Sequence, residues 1–125
     1  MNKLNQIFWV FVFVVVVLSF AWVAFVFAIK PQVKYSNLDE FAKCLTDKGA
    51  TMYGAAWCPH CLDEKSSFGS SFKYVNYVEC PDNISLCTEK GIMGYPSWIS
   101  AEGKILEGKQ GLEKLSEITG CELKK

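Results

Sequence analysis

From Ile7 to Ile29 the chain reads IFWVFVFVVVVLSFAWVAFVFAI, apolar at every position except Ser19. A helix through this run is apolar on all faces and lacks the polar stripe of a surface helix. At 1.5 Å per residue it would reach roughly 34 Å, enough to cross the hydrocarbon core of a bilayer. The remaining chain is too small to bury such a helix, so one N-terminal transmembrane helix is expected within residues 1–30. Val26-Phe27-Ala28 offers small residues at the positions of a signal-peptidase site. The apolar run nevertheless exceeds the ~7–15 residues of a signal peptide, and no polar stretch precedes the site, so an uncleaved anchor is expected.

Beyond a short linker at 31–35 the pattern becomes that of a soluble domain, 36–125. Ser36 or Asn37 is a helix cap with Asp39 and Glu40 in the first turn, and Leu38, Phe41, Ala42 and Leu45 form an apolar face that stops at Gly49. Ala50 to Trp57 reads as a strand, Pro59 to Phe68 as a helix, and Phe72 to Glu79 as a second strand by its alternation. A short helix follows over Ser85 to Lys90. Ser97 to Ser100 and Lys104 to Glu107 are strands joined by an Ala101-Glu102-Gly103 turn. The last helix spans Gly111 to Thr119, with Leu112, Leu115 and Ile118 on one face. The order is α-β-α-β-α-β-β-α, an α/β domain with a central mixed sheet flanked by helices.

The chain is formally neutral, with 13 basic and 13 acidic residues. Every basic residue is lysine. A surface built to bind nucleic acid or phosphate usually uses the planar bidentate donors of arginine, so no nucleic-acid partner is expected. The six cysteines all lie in the soluble part. In a redox-active domain that density suggests an oxidising compartment on the extracytoplasmic side of a membrane, be it periplasmic, extracellular or lumenal.

Trp57-Cys58-Pro59-His60-Cys61 carries the chemistry. Two cysteines three apart, where an apolar strand meets a helix, form a dithiol/disulfide couple, because one helical turn brings both sulfurs within bonding reach. The same geometry aims the free N–H groups and the positive end of the helix dipole at Cys58. That field matters, since a thiol of pKa ~8.5 is only about 3% thiolate at pH 7 and one lowered to ~5 is almost fully ionised. His60, the one histidine, lies between the cysteines and can add positive charge or a hydrogen bond. Pro59 shapes the first helical turn, and Trp57 is read as a substrate-facing rim. Tyr53 and Trp98 are read as core.

With motif and element order in place, the chain from about Ser36 onward resembles the thioredoxin superfamily. Within it the chain is similar to the thioredoxin-like domains fused to, or partnered with, vitamin K epoxide reductase homologues. Met52-Tyr53-Gly54-Ala55 before the motif, Tyr77-Val78-Glu79-Cys80, Gly91 to Trp98, and Leu112-Glu113-Lys114-Leu115 with Gly120-Cys121 carry that closer likeness. The resemblance implies a cis Tyr95-Pro96 peptide facing the dithiol, with the Tyr95 backbone binding substrate, and a structural bridge between Cys80 and Cys87. It implies no cofactor beyond the Cys58-Cys61 disulfide itself. Many thioredoxins place a buried acid six residues before the first active cysteine. Here that residue is Met52, so Cys61 is expected to lose its proton through water or through Glu64 or Lys65, both read as solvated helix residues.

The remaining cysteines leave alternatives open. Cys80 and Cys87 can form a structural bridge, a second redox pair or free thiols; as a bridge their eight-residue loop contributes about 2.5 kcal/mol. Cys44 and Cys121 can pair across the domain for about 4.5 kcal/mol, or Cys44 can be a buried free thiol. Zinc is disfavoured because Cys80 and Cys87 are too far apart for a close metal-binding pair. Asn83-Ile84-Ser85 has the form of a glycosylation sequon and is read as incidental.

The resulting expectation is a membrane-tethered thiol–disulfide oxidoreductase. It would form or isomerise disulfides in proteins outside the cytoplasm and be reoxidised by a quinone-linked membrane partner of the epoxide-reductase-homologue type. A tethered reductase and a non-catalytic binding module are the alternatives.

Overall fold

The structure is a computed structural model that describes residues 2–28 and 34–125. Residues 31–33 of the expected linker at 31–35, the end of the apolar run at Ile29 and Lys30 lie outside the described residues, as do the side chains of the Val26-Phe27-Ala28 site beyond Val26. Two units are described separately, residues 1–33 and 34–125. The first is one helix, α1, over Lys3–Ala28. Lys3–Val26 is long and apolar enough to cross a membrane, by length and composition.

The second unit contains α2 (Leu38–Asp47), β1 (Thr51–Gly54), α3 (Pro59–Phe68), β2 (Asn76–Glu79), α4 (Ile84–Glu89), β3 (Ser97–Ile99), β4 (Ile105–Glu107) and α5 (Leu112–Thr119). The strands form one sheet in the order β2-β1-β3-β4. β1 and β2 are parallel, while β3 runs antiparallel to both β1 and β4. Met52 on β1 stands between Tyr77 on β2 and Trp98 on β3. Because strand side chains alternate, this row shares one face of the sheet. That face builds the main core with Phe41, Ala42 and Leu45 of α2, Phe68 of α3, and Leu112 and Leu115 of α5. Tyr53 lies on the opposite face, in a smaller cluster with Cys80, Cys87 and Val78.

Three elements differ from the sequence reading. β1 stops at Gly54 rather than Trp57, because the chain turns there and the Cys58 amide donates to the Ala55 carbonyl at 3.1 Å. The second strand begins at Asn76 rather than Phe72. Gly69–Tyr74 is a 3-10 helix instead, in which Phe72 packs edge-on against both Phe68 and Tyr77. Thr46 Oγ1 marks the change to strand, donating to the Tyr74 carbonyl at 2.7 Å and accepting the Asn76 amide at 3.0 Å. Asn37 precedes α2 but makes no side-chain cap. Its amide group clasps the C-terminal segment, donating to the Glu122 carbonyl at 3.0 Å and accepting the Lys124 amide at 2.8 Å.

Two disulfides close the domain. Cys44–Cys121 ties α2 to the segment after α5 across a sequence separation of 77. Cys80–Cys87 closes the loop between β2 and α4. By chain entropy the first contributes about 4.5 kcal/mol and the second about 2.5 kcal/mol.

Candidate functional site

Cys58 is the N-cap of α3, with extended backbone before Pro59 opens the helix. Proline suits this first position because its missing N–H would have no partner in the first turn anyway. The capping atom is the sulfur itself: the Cys61 amide donates to Cys58 Sγ at 3.4 Å. A thiolate at Cys58 would therefore meet a backbone N–H and the positive end of the α3 dipole. Both cysteines are free thiols.

The Tyr95-Pro96 peptide is cis, and its loop lies against the dithiol. The Cys58 thiol donates to the Tyr95 carbonyl at 3.6 Å. Trp57, 70% exposed, packs edge-on to the Tyr95 ring with centroids 6.2 Å apart. His60 is exposed on the same turn. Thus Trp57, Cys58, Pro59, His60, Cys61, Tyr95 and Pro96 come together at one end of the sheet. Cys44 and Cys121 lie elsewhere, in the bridge that holds α2 to the C-terminal segment. Cys80 and Cys87 are bridged beneath the other face of the sheet.

Cys58, the sulfur nearer the surface, is itself only 5% exposed. The Tyr95 carbonyl and the Cys61 amide flank its sulfur. Cys61 is fully buried. Burial, reinforced by the neighbouring Cys58, pushes its thiol up to about 11. The two sulfurs thus divide the chemistry of an exchange: one reachable from outside and helix-capped, the other enclosed and holding its proton.

Glu64 needs correction. It is not solvated but 0% exposed. Its carboxylate accepts the Trp98 indole N–H at 3.0 Å, the Gln110 amide at 3.1 Å and the Gly111 amide at 3.1 Å. Gly111 is the N-cap residue of α5 and has no side chain for the purpose. Glu64 therefore ties the dithiol helix to β3 and to the start of α5. Lys65 turns the other way, its Nζ 3.6 Å from the centroid of the Tyr77 ring.

Sequence reasoning did not find Tyr77, Glu79 and Gly54 as part of the site. Tyr77 and Glu79 are two apart on β2, so a period-2 reading places them on one face; only the parallel register sets them beside Met52 and Gly54. The Tyr77 hydroxyl donates to Glu79 Oε2 at 2.5 Å, and Glu79 Oε1 accepts the Ala56 amide at 2.8 Å. Burial, then the bond to Glu79, holds the Tyr77 phenol well above its ordinary range. For Glu79, burial works against ionisation, but the Tyr77 hydroxyl, the Ala56 amide and Lys65 outweigh it and hold the carboxyl below its usual range. No group of His, Cys, Asp and Glu side chains able to hold a metal occurs among the described residues.

No protein-family model matches the chain. It is 44% identical over 91 residues to thiol-disulfide oxidoreductase LTO1 of Arabidopsis thaliana, covering 66% of this chain and 24% of that protein. It is 34% identical over 90 residues to protein disulfide isomerase-like 2-2 of Oryza sativa subsp. japonica, covering 61% of this chain and 24% of the relative. The chain thus spans about a quarter of the length of the curated relatives it matches. Among solved structures, oxidized glutaredoxin 2 of Chlamydomonas reinhardtii superposes with a TM-score of 0.41 at 21% identity, over 68% of this chain and 94% of that one. The chain is thus similar in sequence to a thiol-disulfide oxidoreductase and to a protein disulfide isomerase-like protein, and its residues from Lys34 onward place a dithiol at the start of a helix beside a four-stranded mixed sheet.

Proposed function

We propose that this protein is a membrane-tethered thiol–disulfide oxidoreductase that forms or isomerises disulfides in extracytoplasmic proteins through Cys58 and Cys61. The observation that carries the reading is the placement of the two sulfurs. Cys58 Sγ caps α3 and accepts the Cys61 amide, while Cys61 is enclosed behind it. The similarity to a thiol-disulfide oxidoreductase and to protein disulfide isomerase-like proteins supports the same chemistry.

In the oxidised form a substrate thiolate attacks Cys58 Sγ, the Cys58–Cys61 bond breaks, and Cys61 leaves and takes up a proton. A second substrate thiolate then attacks its partner sulfur in the mixed disulfide, and Cys58 leaves as the helix-capped thiolate. Trp57 and His60 border the approach, and the backbone around Tyr95 and Pro96 would hold an extended substrate beside its sulfur. The N-terminal helix is the tether in this reading. A quinone-linked membrane enzyme of the vitamin K epoxide reductase homologue type would return the dithiol to the disulfide, which needs a two-electron acceptor. The two further disulfides of the domain suit an oxidising compartment.

The test is the reduction potential of Cys58/Cys61, measured by thiol trapping after equilibration in glutathione buffers. A value above about −180 mV supports the oxidase or isomerase reading. A value near about −270 mV overturns it in favour of a tethered reductase.

A further inference from the structure

The resolving step of thiol–disulfide exchange needs Cys61 as a thiolate, yet Cys61 is fully buried. Its neighbours on β1 offer no base. Met52, where a buried acid would stand, is apolar and itself 0% exposed, and Gly54 has no side chain. The Ala55 backbone, just after β1, hydrogen-bonds the thiol and favours its ionised form, and the side chains that face Cys61 come from two elements. From α3 they are Cys58 at the cap and Lys65, four residues on and so on the same side of the helix. From β2 they are Tyr77 and, behind it, Glu79.

Gly54 shows how close these layers are. A Cβ built there would lie 2.9 Å from Cys61 Sγ and 3.3 Å from Tyr77 Cε2. The sulfur and the edge of the Tyr77 ring therefore lie within about 6 Å of each other, on the side of Gly54 where a side chain would stand. Lys65 Nζ sits on that same ring, 3.6 Å from its centroid. The ring is fixed in turn, because its hydroxyl donates to Glu79 and Glu79 is anchored on the Ala56 amide. Glu64, the other helix residue of this turn, is committed to Trp98 and α5.

We propose that Lys65 is a positioning residue that supplies the positive charge supporting the Cys61 thiolate, held beside the sulfur by the Tyr77 ring and the Glu79 carboxylate. The charge comes from α3 and is held by β2, since Met52 on β1 offers no acid or base. A cation over an aromatic face is attracted to the ring while keeping its charge. An opposite charge within about 4–6 Å favours the ionised form of a neighbouring group. The Ala55 backbone and, to a smaller extent, Lys65 work to lower the Cys61 thiol, opposing the rise that burial imposes.

The step balances within the site. Cys61 releases its proton and its thiolate attacks Cys58 Sγ. The bond from Cys58 to the substrate sulfur breaks as the Cys58–Cys61 bond forms, and the departing substrate thiolate takes up one proton. In the reverse direction Lys65 steadies Cys61 as a leaving group. Lys65 thus eases both directions without setting which one prevails.

This inference rests on the exchange reading above, and two measurements separate their failures. The intact chain in detergent micelles, labelled with 13C at cysteine Cβ, is titrated as the dithiol. The same chain is loaded at Cys58 with glutathione, and the rate at which Cys61 releases it is followed. If the parent protein releases no glutathione, the exchange reading fails. If it does, Lys65→Met is expected to move the Cys61 titration up by about one unit and slow release at pH 7 about threefold, the loss of thiolate being partly offset by the greater nucleophilicity of a more basic sulfur. Lys65→Arg is expected to keep both within about twofold. A Lys65→Met protein with the parent's titration and release rate overturns the inference. Should Lys65→Met not fold, Lys65→Gln removes the same charge, keeps a polar stem at this half-exposed position, and carries the same comparison.

Discussion

Glu64 and Trp98 meet inside the domain, the indole Nε1 donating to the carboxylate at 3.0 Å with both residues out of contact with solvent. The pair joins the helix that carries the dithiol to the strand that follows Pro96. The same carboxylate accepts two amides where α5 begins, so one side chain references three elements to each other. Glu64→Ala should therefore cost about 3 kcal/mol, since three N–H groups lose a buried acceptor at once. Glu64→Gln keeps one acceptor oxygen and should cost about half as much. Urea unfolding of both variants checks the difference, and equal losses would refute the shared-acceptor account.

Gly54, the last residue of β1, lies against Cys61. Gly54→Ala would bring a methyl group to 2.9 Å from Cys61 Sγ, nearer than real contacts allow. We expect a loss of about 1–3 kcal/mol from overpacking and a displaced Cys61. Paired measurements of unfolding midpoint and of the Cys58/Cys61 potential check this, and both should move.

The two structural bridges should differ in worth. Removing Cys44–Cys121 by a double alanine substitution opens a loop with a sequence separation of 77 and should cost up to about 4.5 kcal/mol. Removing Cys80–Cys87, with a separation of 7, should cost about 2.5 kcal/mol. Denaturant midpoints of the two double variants test the ranking, which the loop lengths alone set.

Stability of the dithiol form should fall in alkali. The Cys61 thiol is raised to about 11 in the folded chain, chiefly by burial, against about 8.5 for an exposed thiol. Above the lower value the unfolded chain gives up this proton while the folded chain keeps it. The contribution is thus complete below about pH 8.5 and is lost as pH climbs toward 11, on the order of 3 kcal/mol in all. Tyr77, also raised by burial and by Glu79, adds a second loss above its own unfolded value. Comparing the intact dithiol with Cys61→Ser between pH 8 and 11 isolates the first effect. Parallel curves would refute it.

Much of the fold was legible because it rests on local rules. Helix α3 begins at Pro59 and ends at Phe68 as the residues dictate, since proline is favoured in a first turn and Gly69 takes a positive φ of 54° that closes it. The hairpin of β3 and β4 and the face of α5 follow from alternation and helical spacing in the same way. The Phe72–Tyr74 stretch was misread because alternation cannot distinguish a strand from a 3-10 turn whose aromatic rings pack on both sides. Local spacing allows Ser36 or Asn37 as the cap of α2, whereas the partners of the Asn37 side chain, Glu122 and Lys124, are more than eighty residues away.

The same division runs through the site. Sequence alone determined the apolar N-terminal helix, the order of the elements and the dithiol at the start of α3, because each depends on neighbours within a turn or two of chain. Tertiary structure alone decided the surroundings of Cys61. The burial of the sulfur, the diversion of Glu64 to Trp98 and α5, and the stacking of Lys65 on Tyr77 all depend on the parallel register of β1 and β2 and on how α3 lies across it. A charge is solvated or functional according to what packs against it, and adjacent residues such as Glu64 and Lys65 point in different directions around a helix.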